Sequence, residues 1–521
     1  MNLSALPPFQ NEPYTDFTQP AARKAMQDAL AMVRSQFGRT YWPLIGGKRR
    51  ELSGTFASVN PSNPSEVVGV HGKGTAEDAQ DAVEAAFAAF PGWSRTPAED
   101  RVRMLFRVVE ILKRRKLEFN AWLVLEAGKS WNEAEAETSE AIDFCDYYAR
   151  LMLRYASPEP LVQMPGERGH LRYVPLGVGV VIPPWNFSLA ILAGMTVAAL
   201  VAGNTVVIKP SSDTPTVAAK FVEVLGEAGF PDGSHQFLTG SGAAVGDTLV
   251  AHPRTRFVAF TGSKAVGLHI NQLAAQTQPG QLWIKRVIAE MGGKDAIVVA
   301  DDADLDAAAA GILASAFGFQ GQKCSACSRA IIDAKVYDAV VERLKAGAAK
   351  LTVGPADDPA NYMGPVINEG AKKSILGYIE QGKKEGRLIA GGDAVPGLGG
   401  HFIQPTIIAD IESSDTIFRE EIFGPVLAVT KARDFDHALA LANESEYGLT
   451  GALYSANPDR LRRGEDEFFV GNLYLNRKCT GAMVGCHPFG GFNMSGTDSK
   501  AGGPDYLLQF LQGKSIAERV L

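Results

Sequence analysis

Cysteine is scarce in this sequence, with five residues in 521, at positions 145, 324, 327, 479 and 486. So thin and odd a set makes no disulfide framework; free thiols suit a reducing compartment, and a cytoplasmic location is expected. Basic charge is not in excess either: 51 Lys and Arg against 58 Asp and Glu leave a net charge of −7. That balance lacks the broad positive field a nucleic-acid partner needs. Long apolar runs are missing. The greasiest stretch, 189–202, is about 14 residues where a spanning helix needs roughly 20, and Trp185-Asn186 and Asn204-Thr205 bracket it. It reads as a buried core helix, and no membrane partner is expected. MNLSALPPFQNEPYTDF has no basic or apolar leader region, so no signal peptide is expected. Metal-ligand spacing is lacking too. The eight histidines show no paired spacing and Cys479 and Cys486 stand seven apart, which makes a structural zinc site unexpected.

What is there is ordinary globular composition, 46% hydrophobic and 21% charged, which excludes wholesale disorder. At about 150 residues per domain, the length suggests two to four domains. From about 21 to 154 the pattern is mostly helical, with apolar spacings of three and four over 76–90 and 99–125, a break at Gly128-Lys129, and a further helix over 133–150. Residues 157–173 read as a connecting hairpin. From 178 the rhythm becomes strand–helix alternation: strand-like runs 178–182, 205–209, 236–239 and 256–261 separate helical stretches 188–202, 214–228, 243–251 and 264–275. Such alternation predicts parallel βαβ units and a doubly wound sheet. A second α/β region follows Gly292-Gly293, with strands at 296–299, 330–332 and 426–430. The tail after 485 is rich in glycine and polar residues and ends in a run read as helical.

Several residues could carry chemistry, each with a plainer alternative. Gly240-Ser-Gly242-Ala-Ala-Val-Gly246 follows a strand and opens a helix as a dinucleotide fingerprint does, but its last spacing is one residue too long. Lys209, in Lys209-Pro-Ser-Ser212, offers a cation beside hydroxyls where a ribose could sit, or is a solvated strand-end lysine. Cys324, in Gly321-Gln-Lys-Cys324-Ser-Ala-Cys327, sits beside Lys323, which could lower its pKa and make it a nucleophile. Buried packing and a Cys-x-x-Cys pair are the alternatives, with packing preferred for Cys327. Glu290 ends a strand-like run before two glycines, where desolvation would raise its pKa toward that of a general base; a surface acid is the ordinary fate of such a residue. Asn186 would be an N-cap of the greasy helix or an amide donor to an oxyanion.

These weak signals form one ordered pattern: PPWNF at 183–187, KPSS at 209–212, FTGS at 260–263, EMGGK at 290–294, GQKC at 321–324 and EEIFGP at 420–425. Over roughly residues 40 to 515 the chain resembles the NAD(P)-dependent aldehyde dehydrogenase superfamily. Met291 stands where leucine is usual and Ser188 where proline often follows the Phe; neither removes a reacting group. GQKCSACSR at 321–329 and KCTGAMVG at 478–485, continuing to HPFGG at 487–491, are similar to the branch acting on L-glutamate γ-semialdehyde.

The resemblance implies an α/β architecture: a Rossmann-like NAD-binding domain from 1–155 and 176–293, a catalytic domain from 294–484, and oligomerisation segments at 156–175 and 485–521. By the same resemblance Cys324 is the nucleophile, Glu290 the base that activates water, and Asn186 an oxyanion donor together with the Cys324 N–H. Lys209 and Ser212 match an adenosine-ribose site, Gly242, Gly246 and Ser263 the pyrophosphate side, and Glu421 and Phe423 the nicotinamide side. Ser325, Gly481 and Ala482 would meet a substrate carboxylate, Phe187 and Phe489 its aliphatic stem, and Glu140 its ammonium, unless Glu140 is a solvated helix acid. NAD is the implied cofactor; Ser212, where glutamate often enforces NAD, leaves NADP use open. A homodimer or larger assembly of dimers is implied, as is functional coupling to a separate proline dehydrogenase, since 521 residues leave no room for that barrel on the same chain. Another small aldehyde as substrate, a CoA-acylating enzyme and a non-enzymatic crystallin-like role are the competing readings. Glu290 counts against the second, and intact Cys324, Glu290 and Asn186 against the third.

Overall fold

The β-branched runs after residue 177 pair as a doubly wound sheet. In the computed structural model, which describes residues 3 and 6–520, the spatial order is Arg286–Glu290, Thr255–Thr261, Val178–Ile182, Thr205–Ile208 and His235–Phe237, all parallel, extended by the short antiparallel strands Leu44–Ile45 and Lys48–Arg49. Thr205–Ile208 is buried throughout, which is why it reads as a continuous apolar run rather than an alternating one. The chain leaves Val178–Ile182 in one direction and returns to its other side at Thr255–Thr261, so the strand order reverses between these two. In such a sheet the crevice beyond the carboxyl ends at the reversal is where ligands bind. The loop 183–189 and the turn at Gly262-Ser263 stand at those ends.

The greasy helix spans Ala190–Val201 and is buried on every side, with only Ile191 partly exposed. A second seven-stranded sheet runs Arg387–Ala390, Thr406–Ala409, Val426–Ala432, Cys327–Asp333, Asp295–Val299, Thr450–Tyr454 and Asn472–Leu475; only the first pair is antiparallel. Among the described residues no helix is long and apolar enough to cross a membrane.

Three expectations need correction. The run at 99–125 is two helices, Ala98–Arg114 and Lys116–Ala127, because Arg115 leaves helical geometry at φ −100° and ψ 16°. The region read as mostly helical contains a three-stranded sheet of Thr40–Tyr41, Thr55–Asn60 and Asn63–Gly72. The C-terminal run is not helical: after a 3₁₀ turn at Tyr506–Phe510, Leu511–Arg519 is a strand. It pairs antiparallel with Glu167–Pro175 over nine residues, and that ladder outweighs local helix propensity. The hairpin Glu159–Pro160 with Glu167–Pro175 completes this small sheet. Residues 489–499, by contrast, turn back onto Glu290.

Candidate active site

Helix Leu305–Phe317 ends in a turn that few sequences tolerate. Phe319, Gln320 and Gly321 are left-handed in succession, at φ 48°, 57° and 67°. A Cβ on Gly321 would fall 2.2 Å from the Gly424 carbonyl oxygen, so glycine is required there. Side-chain anchors hold the strained backbone. Gln320 Nε2 donates to the Gly128 and Pro365 carbonyls at 3.0 and 2.8 Å, and Gln322 Oε1 accepts from Ile367 N at 2.9 Å. The turn delivers Cys324 and Ser325 ahead of strand Cys327–Asp333.

A single cavity receives Cys324, Ser325 and Glu290. Gly481, Ala482, Phe187, Phe489 and Glu140 line the same space. Glu290, at the end of its strand, holds Oε1 against the Ser499 hydroxyl at 2.7 Å and the Ser499 N–H at 3.3 Å, while Oε2 accepts from Gly491 N at 3.1 Å. Burial outweighs these donors and raises its pKa to about 7. Glu140 is raised to about 8, first by burial and then by Glu137, and a cation meeting it would favour its ionised form. It is not the solvated acid of the plainer reading.

Cys324 departs from expectation. Its thiol pKa is pushed up by burial, with Asp295, Glu421 and Glu290 adding to the effect. Lys323 does not lower it, because its ammonium is paired with Glu133 at 2.6 Å. The resting thiol is therefore protonated and requires a base. Cys327, buried in its strand, packs with Cys479.

Asn186 is not an N-cap: the helix begins at Ala190 and Leu189 holds that position. Its buried amide donates to the Gln322 carbonyl at 3.0 Å, two residues before Cys324. The orphan N–H groups of Leu189 and Ala190 are accepted by Glu137 Oε1 at 2.7 and 3.3 Å.

The residues matched to cofactor binding lie outside this cavity. Lys209 is buried rather than solvated; among the described residues its Nζ meets only the Pro210 carbonyl, at 3.3 Å, and burial lowers its pKa to about 8. A Cβ on Gly246 would lie 3.7 Å from the Lys209 side chain, so the lysine runs along the turn Gly242–Gly246, which is π-helical. A Cβ on Gly242 would meet only open space. Ser212 is exposed nearby in sequence, and Ser263 caps helix Lys264–Ala275 by accepting from Val266 N. Glu421 and Phe423 line a second, smaller cavity. Glu421 Oε1 accepts from Gly293 N at 3.0 Å, and a Cβ on Gly292 would overlap its carboxylate at 2.1 Å. Phe423, left-handed at φ 56°, meets Trp185 edge-on at 5.6 Å. A buried ammonium with one carbonyl partner beside an open glycine turn fits a ribose and its phosphates.

Sequence reasoning missed Ser499, Lys129, Glu137 and Tyr14. Ser499 sits in a glycine-rich tail without periodicity, and Glu137 looks like any acid on an amphipathic helix.

A thiol and a carboxyl whose pKa values burial raises, facing one cavity in a chain built on a doubly wound sheet and a second, mostly parallel sheet, make a constellation suited to covalent sulfur chemistry. Residues 49–516 match the model of the aldehyde dehydrogenase family, and the chain belongs to that family. It is 57% identical over 511 residues to a 1-pyrroline-5-carboxylate dehydrogenase from Geobacillus thermodenitrificans (strain NG80-2), covering 98% of this chain and 99% of that protein. The fold superposes on a Thermus 1-pyrroline-5-carboxylate dehydrogenase crystallised with bound NAD, with TM-score 0.97, 50% identity, and 99% and 100% of the two chains covered. It superposes equally, at 46% identity and TM-score 0.97, on proline utilization A from Bdellovibrio bacteriovorus, covering 99% of this chain and 53% of that longer one.

Proposed function

We propose that this chain oxidises L-glutamate γ-semialdehyde, the open form of 1-pyrroline-5-carboxylate, to L-glutamate, the second step of proline degradation, with NAD as oxidant. The observation that carries the reading is the sharing of one cavity by Cys324, Glu290 and the donors Ser325, Gly481 and Ala482. The names of the relatives at this identity and coverage support it.

Glu290, raised to about 7 and lining the same cavity as Cys324, takes the thiol proton in this reading, and Cys324 Sγ then adds to the aldehyde carbon. The Asn186 amide and the Cys324 N–H hold the resulting oxyanion. NAD, when bound, supplies the hydride acceptor, and Ser212 in place of a glutamate leaves some NADP use open. Once Glu290 has passed the thiol proton to solvent, it removes a proton from the water that attacks the Cys324 thioester; the C–S bond breaks, the carboxylate leaves and the sulfur departs as thiolate, which recovers a proton. Lys209 and Ser212 would hold the adenosine ribose, Gly242, Gly246 and Ser263 the phosphates, and Glu421 and Phe423 the nicotinamide side. Phe187 and Phe489 flank the substrate's aliphatic stem, Ser325, Gly481 and Ala482 its carboxylate, and Glu140 its ammonium.

The same reading assigns 1–155 with 176–293 to cofactor binding, 294–484 to catalysis, and 156–175 with 485–521 to assembly as a dimer or a set of dimers. A cytoplasmic enzyme fed by a separate proline dehydrogenase completes it. One assay tests the proposal: NADH formation with glutamate semialdehyde, with propanal, and with or without CoA. Preference for propanal or dependence on CoA would overturn it.

A further inference from the structure

Residues 9–17 lie outside the span matched by the family model, yet they reach the active cavity. The segment crosses helix Trp131–Ala156 and is tied to two of its acids by three hydrogen bonds. Asp143 Oδ2 accepts from Asn11 Nδ2 at 2.8 Å and Oδ1 from Glu12 N at 2.7 Å; Glu135 Oε1 accepts from Thr15 N at 2.8 Å. Asn11 Nδ2 also donates to the Val484 carbonyl at 3.0 Å, joining the strap to the loop that carries Gly481 and Ala482. Lys116 Nζ donates to the Pro13 carbonyl at 2.8 Å, and Phe17 is buried edge-on against Trp131 at 5.3 Å.

Tyr14 is the residue bracketed by these ties. Glu133, Glu137 and Glu140, three and four apart, put one face of the helix on the cavity wall, and Tyr14 lines the cavity with them. After burial, the Glu140 carboxylate is the strongest influence on its phenol. Tyr14 is 59% exposed, and the backbone on either side of it is held to the helix through the Glu12 and Thr15 N–H groups, which fixes where its side chain starts.

We propose that Tyr14 is a specificity-determining residue, closing the acidic end of the cavity over the amino group of the substrate. This rests on the amino-aldehyde reading above. An aldehyde with no charged group never reaches that end, so it does not sense the strap. A cationic amino group does: it sits between Glu140 and the face of an aromatic ring, where a closed mouth keeps water from competing.

The test uses the full chain with Tyr14→Ala and Tyr14→Phe, assayed on glutamate semialdehyde and on propanal. Tyr14→Ala is expected to raise KM for the amino-aldehyde about tenfold with kcat retained, and to leave propanal kcat/KM within about twofold. Tyr14→Phe, which keeps the ring, should recover most of the loss. Because the side chain is largely exposed, thermal unfolding should not move in either variant. Equal losses on both substrates, or none with Tyr14→Ala, would overturn the role of Tyr14. An unsubstituted enzyme that oxidises propanal but not glutamate semialdehyde would instead overturn the substrate reading itself.

Discussion

Lys129 and Glu137 form an ion pair of 2.7 Å between two side chains that solvent does not reach. The ammonium also lies 3.9 Å over the Phe187 ring and 4.1 Å over Phe319, while Glu137 holds the N–H groups of Leu189 and Ala190. One buried pair thus braces the loop bearing Asn186 and the turn leading to Cys324. Burial lowers the Lys129 pKa, and Glu137 and Glu133 oppose that shift. Removing one partner leaves the other charge stranded, at a cost of about 3–5 kcal/mol. Lys129→Met should therefore shorten the half-life of thermal inactivation severalfold or more. Adding Glu137→Gln should restore part of it. A single variant as durable as the parent would contradict the bracing role.

Cys324→Ala is expected to abolish aldehyde oxidation while NAD binding, measured by fluorescence quenching or calorimetry, stays near normal. The sulfur is on the chemical path, whereas Lys209 and the turn Gly242–Gly246 lie outside its cavity. Cys327→Ala should keep most of the activity, since that thiol is packed with Cys479 in the second core. A dead Cys327 variant beside an active Cys324 variant would reverse the assignment.

Glu290 ties the rate to pH. Its carboxyl is raised to about 7, and only the ionised form can accept a proton from water or thiol. Raising the pH ionises it, so kcat should climb about tenfold per unit below the pKa and level off above it. Glu290→Gln should remove this limb and slow thioester hydrolysis more than acylation, because water is a weaker acid than the thiol and depends more on the base; a pre-steady-state burst of NADH, itself slower than the parent's, would precede slow turnover. Wild-type kcat that stays flat from about pH 6 to 8 would argue against the general-base role.

Much of this site was legible because its chemistry sits where the chain changes direction. Cys324 follows a helix end, Glu290 ends a strand, and Lys209 follows one, so local patterns marked all three. Their electrostatics were less legible. Lys323 beside Cys324 suggested a lowered thiol pKa, but Glu133, 190 residues earlier, takes that charge. The C-terminal strand was misread for a related reason: Leu511–Arg519 owes its conformation to Glu167–Pro175, a partner more than 300 residues away that no local periodicity reports. Ser499, Glu137 and Tyr14 share that long-range origin. Each matters through a neighbour distant in sequence.

The substrate carboxylate has its donors at Ser325 and the loop bearing Gly481 and Ala482 in this reading. Ser325 is buried beside the nucleophile, its carbonyl accepting from the Cys479 thiol at 3.5 Å and from the Thr450 hydroxyl at 3.4 Å. Across the cavity Gly481 adopts φ 80°, and its carbonyl is turned toward the Arg477 guanidinium at 3.2 Å. The Thr480 and Gly481 carbonyls both face Arg477, so the Gly481 and Ala482 N–H groups point the other way, and both residues line the cavity. Among the described residues neither N–H is donated to another backbone carbonyl. Neutral donors suffice for a carboxylate, since a hydrogen bond to a charged group is worth on the order of 1.5–3 kcal/mol. Ser325→Ala should therefore cost about tenfold or more in kcat/KM for glutamate semialdehyde, by that same per-bond energy. Propanal, which has no carboxylate to lose, should be oxidised almost as before. Equal losses for the two aldehydes would mean that Ser325 only positions Cys324, and the case for a five-carbon amino-aldehyde would lose its main physical support.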